Sequence, residues 1–139
     1  MGTSTTGALA GRIDAGTWPL AVGDVLAIVA FAALGIVNHS GTEFLLSNPT
    51  RLALVAAPFL LGWLVFAPLV GAYSPGAGES AKAAVPLAVR SWLPAAVVGL
   101  ALRATPFFPG GFAVTFAVVT IVVGAVFVTV PRFLFFRLV

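Results

Sequence analysis

Four ionisable side chains sit where hydrocarbon would be expected. Asp24 and His39, the chain's single histidine, belong to the run WPLAVGDVLAIVAFAALGIVNH. Arg90 and Arg103 bound the run RSWLPAAVVGLALR. Insertion scales put roughly 2.5–3.5 kcal/mol on such a charge at the centre of a spanning helix, so each must be paired, wetted or shallow. In a solute or proton pathway, Asp24 would take up a proton or cation, and Arg90 would hold an anion or tune the carboxylate. His39 and Arg103 would then serve the opposite mouth.

The surrounding composition explains why these groups stand out. Of the 139 residues, 60% are hydrophobic and 8% are charged. A soluble domain of that size could not cover itself with polar groups, whereas a bilayer makes hydrocarbon the outer solvent. The net charge of +3 comes from basic residues scattered near segment ends. That pattern fits lipid headgroups rather than nucleic acid. Absence of cysteine removes thiol catalysis, disulfides and iron–sulfur ligation. One histidine cannot give zinc or haem a pair of imidazoles within a single chain. No metal or cofactor is expected.

Four stretches reach the length of about 20 apolar residues that a crossing requires: 18–37, 52–73, 83–102 and 111–130. Runs this long and uninterrupted are helices rather than barrel strands. The first is longer than a signal-peptide core and has no evident cleavage site, so it reads as retained. Short links, SPGAGESAK at 74–82 and RATPFFPG at 103–110, make neighbouring helices antiparallel. The expected architecture is an all-α, integral membrane, up-down-up-down four-helix bundle at 18–139, behind a polar tail at 1–17. Pro131 is expected to end the fourth helix, leaving the arginines of PRFLFFRLV in the headgroup layer. Arg12, Lys82, Arg132 and Arg137 share one side, with Arg90 just inside it; Arg51 and Arg103 lie on the other. The positive-inside rule then places both termini in the cytoplasm, in a multi-pass protein of the cell membrane.

Depth brings two of the charges together. Asp24 lies about 9 Å in from Trp18, and Arg90 about 10 Å in from Ala83, on helices entering from the same side. An Asp24–Arg90 pair across the bundle is the sharpest expectation, either in a pathway or as a lock on helix register. His39 lies about 22 Å beyond Asp24 and about 60° around the helix, on a face turned into the bundle. There it shares surroundings with Glu43, Arg51 and Arg103. Pro58 and Pro68 can kink the second helix. Ala113, Ala117, Thr120 and Gly124 form a small-residue stripe suited to close packing, in the bundle or against a second copy.

No P-loop, dinucleotide fingerprint, HExxH or GxSxG is present, and the chain is not expected to be an enzyme. The ordered set Asp24, Phe31, Gly35 and His39, then Pro58-Phe59 and Gly62-Trp63, then Arg90, Trp92, Gly99 and Arg103 resembles a family of small prokaryotic membrane proteins. That family is catalogued as domain of unknown function 3054. The resemblance implies a four-helix integral membrane protein with Asp24, His39, Arg90 and Arg103 as its polar positions, and it implies no reaction. Two roles follow as expectations. One is a small transporter or permease-like protein working through Asp24 and Arg90. The other is a non-catalytic accessory subunit of a larger membrane complex. Besides the bilayer, a homo-oligomer or such a complex is the expected partner.

Overall fold

The computed structural model describes residues 13–138, all of whose regular structure is helical. Four long helices, α1 (Trp18–Ser40), α3 (Pro49–Val70), α4 (Ala81–Arg103) and α5 (Val114–Leu138), surround one core, and a short helix, α2 (Thr42–Ser47), links the first pair. Each long helix has the length and apolar content to cross a membrane. Twenty-three residues at about 1.5 Å each give about 34 Å, enough for a hydrocarbon layer of about 30 Å.

Local chemistry sets the ends. Proline stands in the first turn of α1 and of α3, where its missing N–H breaks no intrahelical bond. Gly71, at φ 99°, closes α3 in the left-handed conformation, its N–H donating to the Ala67 carbonyl at 3.1 Å. Ser80 caps α4, its hydroxyl accepting from the Ala83 N–H at 3.2 Å. The 74–82 link contains a 3-10 turn, Pro75–Gly78. A second such turn, Ala15–Thr17, leads into α1, and the residue before it is tied to the segment after α3: the Asp14 N–H donates to the Tyr73 carbonyl at 2.7 Å.

One boundary differs in a way that matters. Pro131 does not end the fourth helix; α5 runs through it to Leu138. A proline inside a helix removes one backbone hydrogen bond, which a packed membrane bundle tolerates. Arg132, expected in the headgroup layer, therefore lies within the helix and is 1% exposed. Arg12 lies outside the described residues.

The helices pack in the cyclic order α1, α3, α4, α5, with sequential neighbours antiparallel. The start of α1, the end of α3, the start of α4 and the end of α5 meet at what we term the near end. The opposite termini form the far end. Between them the axis is filled by rings. Phe31 stands edge-on to Phe59, Trp92 and Phe127, with centroids 5.9–6.2 Å apart. Trp92 is fully buried, and its indole N–H donates to the Thr120 carbonyl at 3.2 Å.

Two glycines make these approaches feasible. A Cβ on Gly62 would stand 2.5 Å from the Ala95 carbonyl oxygen, so α3 and α4 touch backbone to backbone. A Cβ on Gly124 would overlap the Trp92 indole. Of the small-residue stripe, Thr120 and Gly124 on α5 are therefore packed inside the bundle, while Ala113 precedes the helix and is exposed. The opposite face, with Val118, Val122 and Val126, points outward as a surface for acyl chains. Gly124→Leu should destabilise the protein by about 1–3 kcal/mol through overpacking against Trp92. Melting curves in mild detergent would show the loss, and Val122→Leu on the outer face should leave the midpoint unchanged.

Candidate functional site

Ionic groups gather at both ends of the bundle, in opposite ways. At the near end, Asp24 is fully buried one and a half turns into α1. Its partner is Arg132 of α5. The guanidinium meets both carboxylate oxygens, Nε donating to Oδ1 at 3.0 Å and Nη2 to Oδ2 at 2.7 Å. Two further donations run to backbone, Nη1 to the Ala84 carbonyl at 2.9 Å and Nη2 to the Ala72 carbonyl at 3.1 Å. The Tyr73 hydroxyl donates to Oδ2 at 2.7 Å and accepts from the Trp63 indole N–H at 2.7 Å. Burial first, and then the Asp24 charge, push the Tyr73 phenol well above its ordinary value, so it stays a donor. Gly23 helps here too, since a Cβ there would press on Pro131 at 3.2 Å. α1 and α5 can thus close until Asp24 and Arg132 meet.

The expected Asp24–Arg90 pair is not formed. Arg90 is at suitable depth but on the wrong side of its helix. The stripe of α4 that faces the bundle is Ala84, Ala88, Ser91, Trp92 and Ala95, all buried. Arg90 lies about 200° from both Ala88 and Trp92 at 100° per residue, and it is exposed on the outer face. The guanidinium that does reach Asp24 carried a readable signal. Arg132 stands as far from the end of α5 as Asp24 from the start of α1, about 9 Å in each case. A helix carried through Pro131 would have exposed that match.

The far end holds the other two candidates. His39, in the last turn of α1, and Arg103, the last residue of α4, line one cleft together with Arg51 from the start of α3. Its volume is about 270 Å³. Phe31, Val55 and Phe59 supply an apolar floor, and no acidic residue lines it. His39 is exposed rather than turned into the bundle, and Glu43 stands outside the lining. Asp24 is separated from this group by the ring cluster.

Arg103 is held in place by its own loop. Its guanidinium lies 3.7 Å over the Phe116 ring, and Nε donates to the Gly111 carbonyl at 3.0 Å. Gly110, at φ +115°, has the guanidinium where a Cβ would stand, so only glycine lets the 104–113 link wrap it. Arg51 lines the same cleft, so two like charges share one opening. Cationic donors gathered on one cleft with an apolar lining and no carboxylate are suited to an anion. Among the described residues no three His, Asp or Glu side chains gather as a metal site would require.

With the geometry established, comparison with known proteins adds one result. The family model described as "Protein of unknown function (DUF3054)" matches residues 21–135. The chain belongs to that family. Its match takes in the ionic lock, the ring cluster and the far-end cleft, and extends past Arg132. Neither a curated protein nor a solved structure matches the chain significantly.

Breaking the near-end pair should be severe. Asp24→Leu or Arg132→Met alone is expected to lose about 3–5 kcal/mol, because each leaves a buried charge without its mate. The double variant should recover most of that loss, and Arg90→Gln should not reproduce it. Thermal unfolding of the four purified variants, with the parent chain as reference, tests this ordering.

Proposed function

We propose that this multi-pass membrane protein is permease-like and recognises a small anion in the far-end cleft. The observation that carries the reading is the convergence of Arg51, Arg103 and His39 on one open cleft whose lining holds no carboxylate. Asp24, by contrast, already has both oxygens engaged by Arg132 and Tyr73. The recognition chemistry therefore falls to the far-end cations, and the near-end pair acts as the closed side. Passage would require the Phe31, Phe59, Trp92 and Phe127 rings to part, since they fill the axis below the cleft.

Charge distribution supports an orientation. With Arg132 neutralised inside the bundle, Arg12, Lys82 and Arg137 still outnumber Arg51 and Arg103. The near end and both termini would then face the cytoplasm, and the cleft the opposite side. Proteoliposomes test the transport reading with benzenesulfonate, a compact and permanently ionised anion. Saturable uptake above protein-free vesicles, reduced several-fold by Arg51→Gln, is expected. Uptake no faster than in empty vesicles would overturn the permease-like role.

A second reading, an accessory subunit of a larger membrane assembly, draws on Arg90. A guanidinium on the outer face, about 13 Å along α4 from Ala81, is well placed for a carboxylate on a neighbouring helix. Under this reading Arg90→Gln would release a co-purifying membrane chain that the parent protein retains, measured by native mass spectrometry. Identical masses for parent and variant would argue against it.

A further inference from the structure

We propose that the far-end cleft takes an amphiphilic oxyanion, its charged head between Arg51 and Arg103 and its apolar body against Phe44 and Val55, over the buried Phe31 and Phe59. This rests on the cleft being the recognition site, and it adds what that site selects.

Two halves of the cleft argue for two halves of the ligand. Arg103 spends Nε and, at 3.5 Å, Nη2 on the Gly111 and Gly110 carbonyls. Its Nη1 donors and the second Nη2 hydrogen remain, which is the end-on edge of the guanidinium and the one that can grip two oxygens of one head group. Stacking on Phe116 fixes the plane of that edge, so the donor pair is aimed before any ligand arrives. Arg51 supplies a second charge from the facing helix. Simple hydrated ions such as chloride would gain from the charges but leave the floor wet. Phe44 and Val55 offer accessible apolar surface beside the cations, backed by the buried Phe31, Ile36 and Phe59, and covering it adds stabilisation proportional to the area removed from water. The volume limits the body. At about 270 Å³ the cleft falls just under the roughly 300–1,000 Å³ typical of pockets for drug-sized ligands, so one ring or a short branched chain fits.

Carboxylate, sulfonate and phosphate heads share this chemistry, and the ligand could be a free organic anion or the head of an anionic lipid. Titration calorimetry on the full chain in phosphatidylcholine nanodiscs separates these sources. Benzenesulfonate should bind. Benzenesulfonamide, which keeps the ring and loses the charge, and methanesulfonate, which keeps the charge and loses the ring, should each bind at least tenfold more weakly. Arg51→Gln, at an exposed position, should weaken benzenesulfonate at least fivefold without moving the melting midpoint of the empty protein. Arg103→Gln should weaken it as much, and Arg51 keeps the test valid should that variant fail to fold. In a parallel arm, nanodiscs doped with phosphatidylglycerol report the lipid source. Loss of benzenesulfonate binding there, together with Arg51-dependent lipid retention in native mass spectrometry, assigns the head group to lipid. Unchanged benzenesulfonate binding assigns it to a free anion. Equal binding of the sulfonamide, or indifference of both arms to Arg51→Gln and Arg103→Gln, would overturn the proposal. Binding without flux would remove the permease-like role and leave this assignment standing.

Discussion

The near end of this bundle is organised by one guanidinium–carboxylate contact. Asp24 and Arg132 are 108 residues apart in the chain and meet with almost no exposure of either. Charges removed from water are tolerated when every lone pair and donor finds a partner. That condition explains the rest of the arrangement. Arg132 reaches the carboxylate of α1, the Ala72 carbonyl just after α3 and the Ala84 carbonyl of α4, so a single side chain on α5 touches all four corners. Tyr73 completes the carboxylate's shell and is itself held by Trp63. A shift of any helix by one turn, about 5.4 Å, would leave an ion unmatched in a medium that cannot solvate it.

This contact also determines where chemistry remains available. The carboxylate that stood out as a candidate for proton or cation uptake is consumed by structure. At the opposite end the cleft that the cations line has no carboxylate, and the partners of Arg103 are carbonyl dipoles and a ring face. The two ends thus differ in kind: one neutralised and closed, the other positive and open. The aromatic cluster between them insulates one from the other. Glycines at 99 and 124 matter to this division, because Phe59 and Trp92 can occupy the axis only where neighbouring backbones yield the space.

Much of this was legible in the residues. Hydropathy and link length were enough for four antiparallel helices, since lipid leaves few alternatives for an apolar backbone. The gathering of His39, Arg51 and Arg103 followed from topology alone, because all three end or begin helices on the same side. The error over Asp24 had a definite origin. Depth along an axis can be counted from a sequence, but contact also needs the side chain's angle around the axis. Arg90 satisfied the first and failed the second, its helix being turned by the small residues Ala84, Ala88, Ser91 and Ala95 that let α4 approach its neighbours. The treatment of Pro131 as a stop then hid Arg132. In water a proline there would be a strong terminator. In a packed membrane bundle one lost backbone bond is tolerated, and the helix carried through Pro131 brings Arg132 to Asp24.

A closed near end and an open far end also differ in how readily they can move. Opening the near end requires separating a bidentate ion pair and exposing the hydrogen-bonded carbonyls of two further elements. The far end has no such tie. Helix α2 has six residues and none of them is buried, yet its Phe44 contributes to the wall of the cleft. The 104–113 link relies on two positive-φ glycines and the hydrogen bonds of Arg103. Local openings concentrate where buried apolar contacts are fewest. Ligand entry would therefore be accommodated by α2 and this link, with the transmembrane scaffold held in register from the other side by Asp24 and Arg132. In the proposed anion site the mobile wall would then adapt to the ligand's body, while the near-end pair holds the helices in register and the rings fill the axis beneath.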